Sequence, residues 1–253
     1  MSSSIWTRCA GDSELGRLRV EAWRAVESQH QVATRKLVDT LDEQALLEEM
    51  IESVKPPDPT GGRFHYLLAT PFRYPPLRHG SRFGTRHEPG IWYGAEARRT
   101  ALAEVAYYRL LFLEGTEAEL GTVETPLSVF RIRIDTPRGV DLVRPPFDAH
   151  RRTIASRTRY TVTQALGRAM RAAGVEAFRY PSARDRGPRG GVGVAAFTPR
   201  VFGRRQPGKL ESWYCAATRR RVELRRRDYF DRPSYVFERK AFEVGGRLPA
   251  PAL

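Results

Sequence analysis

"GSRFGTRHEPGIWYGAEARRTALAEVAYYR", residues 80–109, opens in a glycine-flanked turn, passes a short apolar stretch "GIWYG", and runs into a long helical pattern over 95–113. A strand followed directly by a helix indicates mixed α and β structure. Further strands are predicted at "FHYLLAT", "LSVFRIRID", "VDLV", "VEAFRY" and "VGVAAFTP". In "LSVFRIRID", Phe130, Ile132 and Ile134 alternate with polar residues, the period of a half-buried strand. A second helix is predicted over 161–173. Upstream, 14–29 and 32–54 read as two helices, and "PPDPTGG" at 56–62 breaks the chain after them. Downstream, "LESWYCAA" and "RRVELRR" are strand-like. The expected organisation is an α+β domain over 63–205, an N-terminal helical extension over 1–55, and a basic tail over 206–253 packed on the same domain.

The chain has 253 residues, enough to bury a full core. No apolar run approaches the roughly 18 residues of a membrane span, and the first residues carry no apolar leader segment, so a cytoplasmic protein is expected. Cys9 and Cys215 form no CxxC pair, and five scattered His offer no ligand spacing; reduced thiols and no metal are expected. Motifs for dinucleotide-binding glycine loops, Walker loops, zinc proteases and serine hydrolases are absent from the sequence. The net charge of +14 points towards anionic partners, yet only Lys36, Lys55, Lys209 and Lys240 are lysines, and the arginines form one true cluster, "RRRVELRRRDYFDR".

Glu104 is the residue a bland core does not explain. At helical offsets its neighbours are Ala97, Thr100, Ala101, Tyr107, Tyr108 and Leu111, while Arg98, Arg99 and Arg109 fall on the other side. A buried carboxylate without a partner is costly, so this face opens to solvent or a cleft, or a distant cation reaches it. Arg82 lies between Gly80 and Gly84, where a backbone can approach a ligand and a guanidinium can fork onto a phosphate; an ordinary turn arginine reads the same way. Tyr93 ends a short strand, its ring available for stacking or for the core. Ser182 precedes the Gly/Arg-rich "ARDRGPRGG", a loop suited to an anion or to a surface hairpin.

Taken in order, "GSRFG", "GIWYGAE", "TALAEVAYYR" and "VEAFRYPSAR" resemble the motifs of the RES-domain family, toxins of bacterial toxin–antitoxin pairs named for an Arg, a Glu and a Ser. The family pattern is a Gly-Gly-Arg-Trp-Asn turn, a Tyr on the next strand, a helix carrying Leu/Ala-x-Glu, and a strand running into Tyr-Pro-Ser-x-Arg. The resemblance covers about residues 63–205 and assigns Arg82, Tyr93, Glu104 and Ser182 to the family's positions. Phe83 replaces Trp, Gly84 replaces Asn, and one extra residue separates Arg82 from Tyr93.

The resemblance implies an ADP-ribosyltransferase-like fold acting on NAD, which serves as substrate, with no metal. Cleavage of the nicotinamide–ribose bond builds oxocarbenium character on the sugar, and a carboxylate beside it stabilises that charge. Glu104 takes that catalytic role, Arg82 grips the pyrophosphate or a ribose, Tyr93 stacks on nicotinamide, and Ser182 orients it. The acceptor is water or phosphate in an NAD glycohydrolase or phosphorylase. It is a protein side chain in a mono-ADP-ribosyltransferase acting on a host protein. The implied partner is an Xre-like antitoxin, with nucleic acid touched only through it. A rival reading, resting on charge alone, is a basic nucleic-acid-binding module without NAD chemistry.

Overall fold

The computed structural model describes residues 4–28, 37–76, 79–187 and 190–250. In chain order its elements are α1 (Ile5–Arg8), β1 (Gly16–Glu27), α2 (Leu41–Ser53), α3 (Tyr66–Arg73), β2 (Trp92–Ala95), α4 (Arg98–Glu114), β3 (Val123–Asp141), α5 (Arg151–Ile154), α6 (Thr161–Ala172), β4 (Ala177–Pro181), β5 (Val192–Ala196), β6 (Glu211–Ala217), β7 (Arg221–Arg226) and β8 (Ser234–Glu238).

The fold is mixed α+β, organised by the long strand β3. One edge of β3 pairs antiparallel with β1, from Leu127 opposite Glu27 to Gly139 opposite Gly16. The other edge first carries β6, at Val123–Val129, and then β4, at Gly139–Asp141. The sheet order is β1-β2-β5-β4-β3-β6-β7-β8, and the added β1–β3 pairing closes the first five strands into a ring. The β1–β2 junction is the single pair Trp23–Ala95. The β3–β4 pairing is parallel; the others are antiparallel.

The alternation of β3 separates two cores, because successive side chains of a strand face opposite sides. Leu127 and Val129 join the inner face of α4 (Leu102, Ala106, Leu110), with Trp213 and Leu224 from β6 and β7. Phe130, Ile132 and Ile134 pack instead with Trp92, Val194 and Phe202. A third core beneath α6 joins Leu166 and Met170 to Phe83, Phe178 and Tyr180.

The structure corrects three expectations. The predicted helix over 14–29 is the strand β1, so part of the expected helical extension lies inside the sheet. Leu18, Ala22 and Val26 recur every fourth residue, which suits either period, and pairing with β3 decides between them. "FHYLLAT" supplies the helix α3, where Leu67, Leu68 and Ala69 are buried in succession rather than alternately, and His65 caps the first turn. In "VDLV", Val140 and Asp141 end β3 and Leu142 lies beyond it. Of the helix expected over 32–54, residues 32–36 lie outside the described residues and the helix itself is α2, opened by a capping box between Thr40 and Glu43. The expected basic tail continues the sheet as β6, β7 and β8. Among the described residues no helix is long and apolar enough to cross a membrane.

Candidate active site

The site begins with the turn holding Arg82. Gly80 adopts a φ of 70°, the left-handed region open to glycine, and Ser81 bridges to Gly84 across the turn. Three neighbours fix it. Gln164 of α6 donates from Nε2 to the Ser81 carbonyl at 3.1 Å. Gly167, one helical turn on, lets α6 approach so closely that a Cβ there would lie 1.9 Å from the Phe83 carbonyl oxygen. The third is Tyr93, whose hydroxyl accepts from the Phe83 N–H at 3.2 Å and shares a hydrogen bond with Ser81 Oγ at 2.9 Å. Burial pushes the Tyr93 phenol up to about 12, so it stays protonated at neutral pH.

Arg82 is buried at 7% exposure. Its Nη1 donates to the carbonyls of Ile154 and Ser156, at 3.2 and 2.7 Å, and its guanidinium lies 4.7 Å from the Tyr160 ring centroid. Nε and Nη2 make no hydrogen bond within the described residues.

Glu104 sits on α4, which enters the core on Leu102, Ala103, Ala106 and Tyr107. The three nearby arginines of that helix are spoken for: Arg98 pairs with Glu211, Arg99 with Asp185, and Arg109 with Glu27. Glu104 itself makes no ion pair or hydrogen bond among the described residues. It is half-buried, and burial is the largest influence on its carboxyl, raising it above the ordinary range. Arg184 and then Arg82 oppose that rise, while Asp185 adds to it. The distant cations allowed for Glu104 are therefore these two arginines, which come from other elements.

Ser182 and Arg184 leave the end of β4 together. Ser182 Oγ accepts from the backbone N–H groups of Arg184 and Asp185, at 3.2 and 3.1 Å, and so shapes the turn. Arg184 is 4% exposed; its guanidinium lies 3.5 Å from the Tyr107 ring centroid and donates to the Tyr160 hydroxyl at 3.2 Å. Tyr107 is buried, its phenol raised to about 12 by that burial, and it donates to the Pro249 carbonyl at 2.5 Å. Asp185 is held by Arg99 and by the Thr100 hydroxyl, so the Ser182 turn is tied to the start of α4.

Arg82 and Glu104 thus share one electrostatic neighbourhood, with Tyr93 behind the Arg82 turn. Ser182 joins through its turn and through Arg184. The hydroxyls of Tyr93 and Ser182 are engaged in holding backbone. Sequence reasoning did not single out Arg184, although it closes the Tyr-Pro-Ser-x-Arg motif two residues after Ser182. Nor did it find Tyr160 or Gln164, which reach the site from α6 and its N-terminal edge with no local signal. A cavity of about 540 Å³ opens beside Ser182 and Asp185, but Arg82, Tyr93 and Glu104 do not line it.

The molecule is an α+β protein in which a carboxylate without an ion pair among the described residues feels the charge of two buried arginines. Residues 57–219 match the model of the RES domain, and the chain belongs to that family. No curated protein matches it.

Proposed function

We propose that this RES-domain protein consumes NAD by cleaving the bond between nicotinamide and ribose. The observation that carries the reading is Glu104: a half-buried carboxylate with no bonded partner within the described residues, within electrostatic reach of Arg184 and Arg82. A carboxylate partly shielded from water and left out of an ion pair keeps its charge available for a cation formed nearby.

In the cleavage the C1′–N bond breaks, its electron pair leaves with nicotinamide as the pyridinium becomes neutral, and positive charge develops on the ribose. Glu104 stabilises that charge and holds a ribose hydroxyl. Arg82 and Arg184 offer guanidinium groups to a phosphate or ribose of the dinucleotide, with Arg82 fixed from behind through Nη1 alone. Tyr93 and Ser182 position these arginines by shaping their turns, a supporting role beside the direct nicotinamide contact expected of them. Water, phosphate or a protein side chain then captures the ribose and gives up a proton. The first two make a glycohydrolase or phosphorylase, the third a mono-ADP-ribosyltransferase. In the toxin reading that the family suggests, an Xre-like antitoxin restrains the activity.

Purified protein incubated with NAD, with and without phosphate and cell lysate, sorts these by product. NAD left intact in every arm would overturn the reading. One observation favours the basic-module alternative: Tyr229 and Phe230 are 79% and 92% exposed between β7 and β8, next to Arg227 and Arg232. That alternative expects steeply salt-dependent RNA binding that is indifferent to Glu104→Gln.

A further inference from the structure

Ser182, Ala183, Asp185, Arg186, Gly187 and Gly190 form one wall of the cavity of about 540 Å³, a volume within the range of small-ligand sites. Its other wall is α5 and the segment after it. Four arginines line it: Arg151, Arg152, Arg157 and Arg186. Arg151, Arg152 and Arg186 have no ion pair or hydrogen bond from their guanidinium groups within the described residues. Arg157 is half-buried and spends Nη2 on the Ala241 and Glu243 carbonyls, at 3.3 and 2.7 Å, while its Nε is buried without a partner. The one carboxylate in the lining, Asp185, is engaged by Arg99 and Thr100. Burial lowers Arg157, and the charges of Arg186 and then Arg184 lower it further, the mark of like charges pressed together.

At Arg98, Arg109, Arg179 and Arg226 a partly buried arginine is paired with a carboxylate, whereas Arg24, Arg82, Arg171 and Arg184 donate to carbonyls or a hydroxyl. In the cavity, by contrast, four arginines, one half-buried and three exposed, gather around a single carboxylate that is already engaged. We propose that this cavity binds a phosphate-bearing anion with at least two adjacent phosphate charges, held by Arg151, Arg152, Arg157 and Arg186. Guanidinium forks suit such an anion, and gathered cations gain most from a ligand carrying several charges. The site also adjoins the carboxylate centre: Ser156 and Arg157, which line the cavity, give their carbonyls to Arg82 and Arg184. Binding here does not require that NAD be the substrate.

The test is calorimetric titration and thermal unfolding of the full chain with sodium pyrophosphate, against sodium sulfate at matched ionic strength. At about a hundred times its dissociation constant, pyrophosphate should raise the unfolding midpoint by about 5 °C, and sulfate by far less. Arg151→Gln combined with Arg186→Gln should leave the anion-free midpoint within about 2 °C of wild type and weaken pyrophosphate at least about tenfold. Both residues are exposed, and Arg152→Gln serves as a second probe should the double variant fold poorly. No binding to wild type overturns the proposal. So does an equal loss in Arg220→Gln with Arg225→Gln, since those arginines lie outside the cavity. A titration repeated on Glu104→Gln with saturating NAD separates two sources of the same chemistry. Competition identifies the cavity as the seat of the dinucleotide's diphosphate, and independence identifies a seat for a free phosphate compound.

Discussion

Glu104 is raised by burial more than Arg184 and Arg82 lower it, so the folded protein holds that proton more tightly than the unfolded chain does. Its contribution to stability is fully present below the unfolded value of about 4.3 and is lost as pH climbs through the folded one. Glu104→Gln removes the cost of ionisation. The unfolding midpoint at neutral pH should hold level or rise, while NAD consumption falls at least about a hundredfold. A midpoint several degrees lower would make the residue structural. The same shift fixes a pH dependence. If Glu104 works ionised, kcat/KM for NAD should rise along an acid limb lying above the ordinary carboxyl range. Arg184→Gln removes the larger of the two opposing charges and should move that limb further up. An unmoved limb would assign it to another group.

The Arg82 turn works only because two elements hold it, β2 through Tyr93 and α6 through Gln164 and Gly167. Gly167→Ala places a methyl carbon where it would meet the Phe83 carbonyl, so α6 must back away. We expect a loss of about 1–3 kcal/mol in chemical denaturation, with weaker NAD consumption. Tyr93→Phe leaves the Phe83 N–H without its acceptor and should cost about 1–3 kcal/mol, together with a raised KM as Arg82 loosens. An unchanged KM would confine Tyr93 to packing. These contacts also mark the limit of what the sequence discloses. The α4 helix, the β3 alternation and the oddity of Glu104 were legible, because each is a local pattern of polarity. The motif order drew attention to Arg82 and Ser182 as well. Tyr160, Gln164 and Gly167 were not legible, since their role is to touch residues about 80 positions away. The strand β1 was misread for a related reason: its four-residue recurrence fits helix and strand alike, and only the partner strand chooses.

At the scale of the molecule, the RES match and the folded unit do not share boundaries. The match begins at residue 57, after β1, and ends at 219, before β7 and β8. Yet β1 covers one edge of β3 from Glu27 to Gly16 and buries Leu18 and Ala22 against it. At the other end, β7, β8, Phe242 and Leu248 complete the core beneath α4, and the Pro249 carbonyl receives the buried Tyr107 hydroxyl beside Arg184. A chain cut to 57–219 therefore bares the long edge of β3, an invitation to aggregation, and strips the apolar cover from Trp213, Cys215 and Leu110. It also leaves the Tyr107 hydroxyl buried or flooded, on the helix face that carries Glu104. The truncated chain should show no cooperative thermal transition, whereas residues 4–250 should unfold in one. Circular dichroism and amide dispersion by NMR read both. A cooperative transition in 57–219 would mean that the flanking strands only decorate the fold, and that the partial burial of Glu104 arises within the family's own segment.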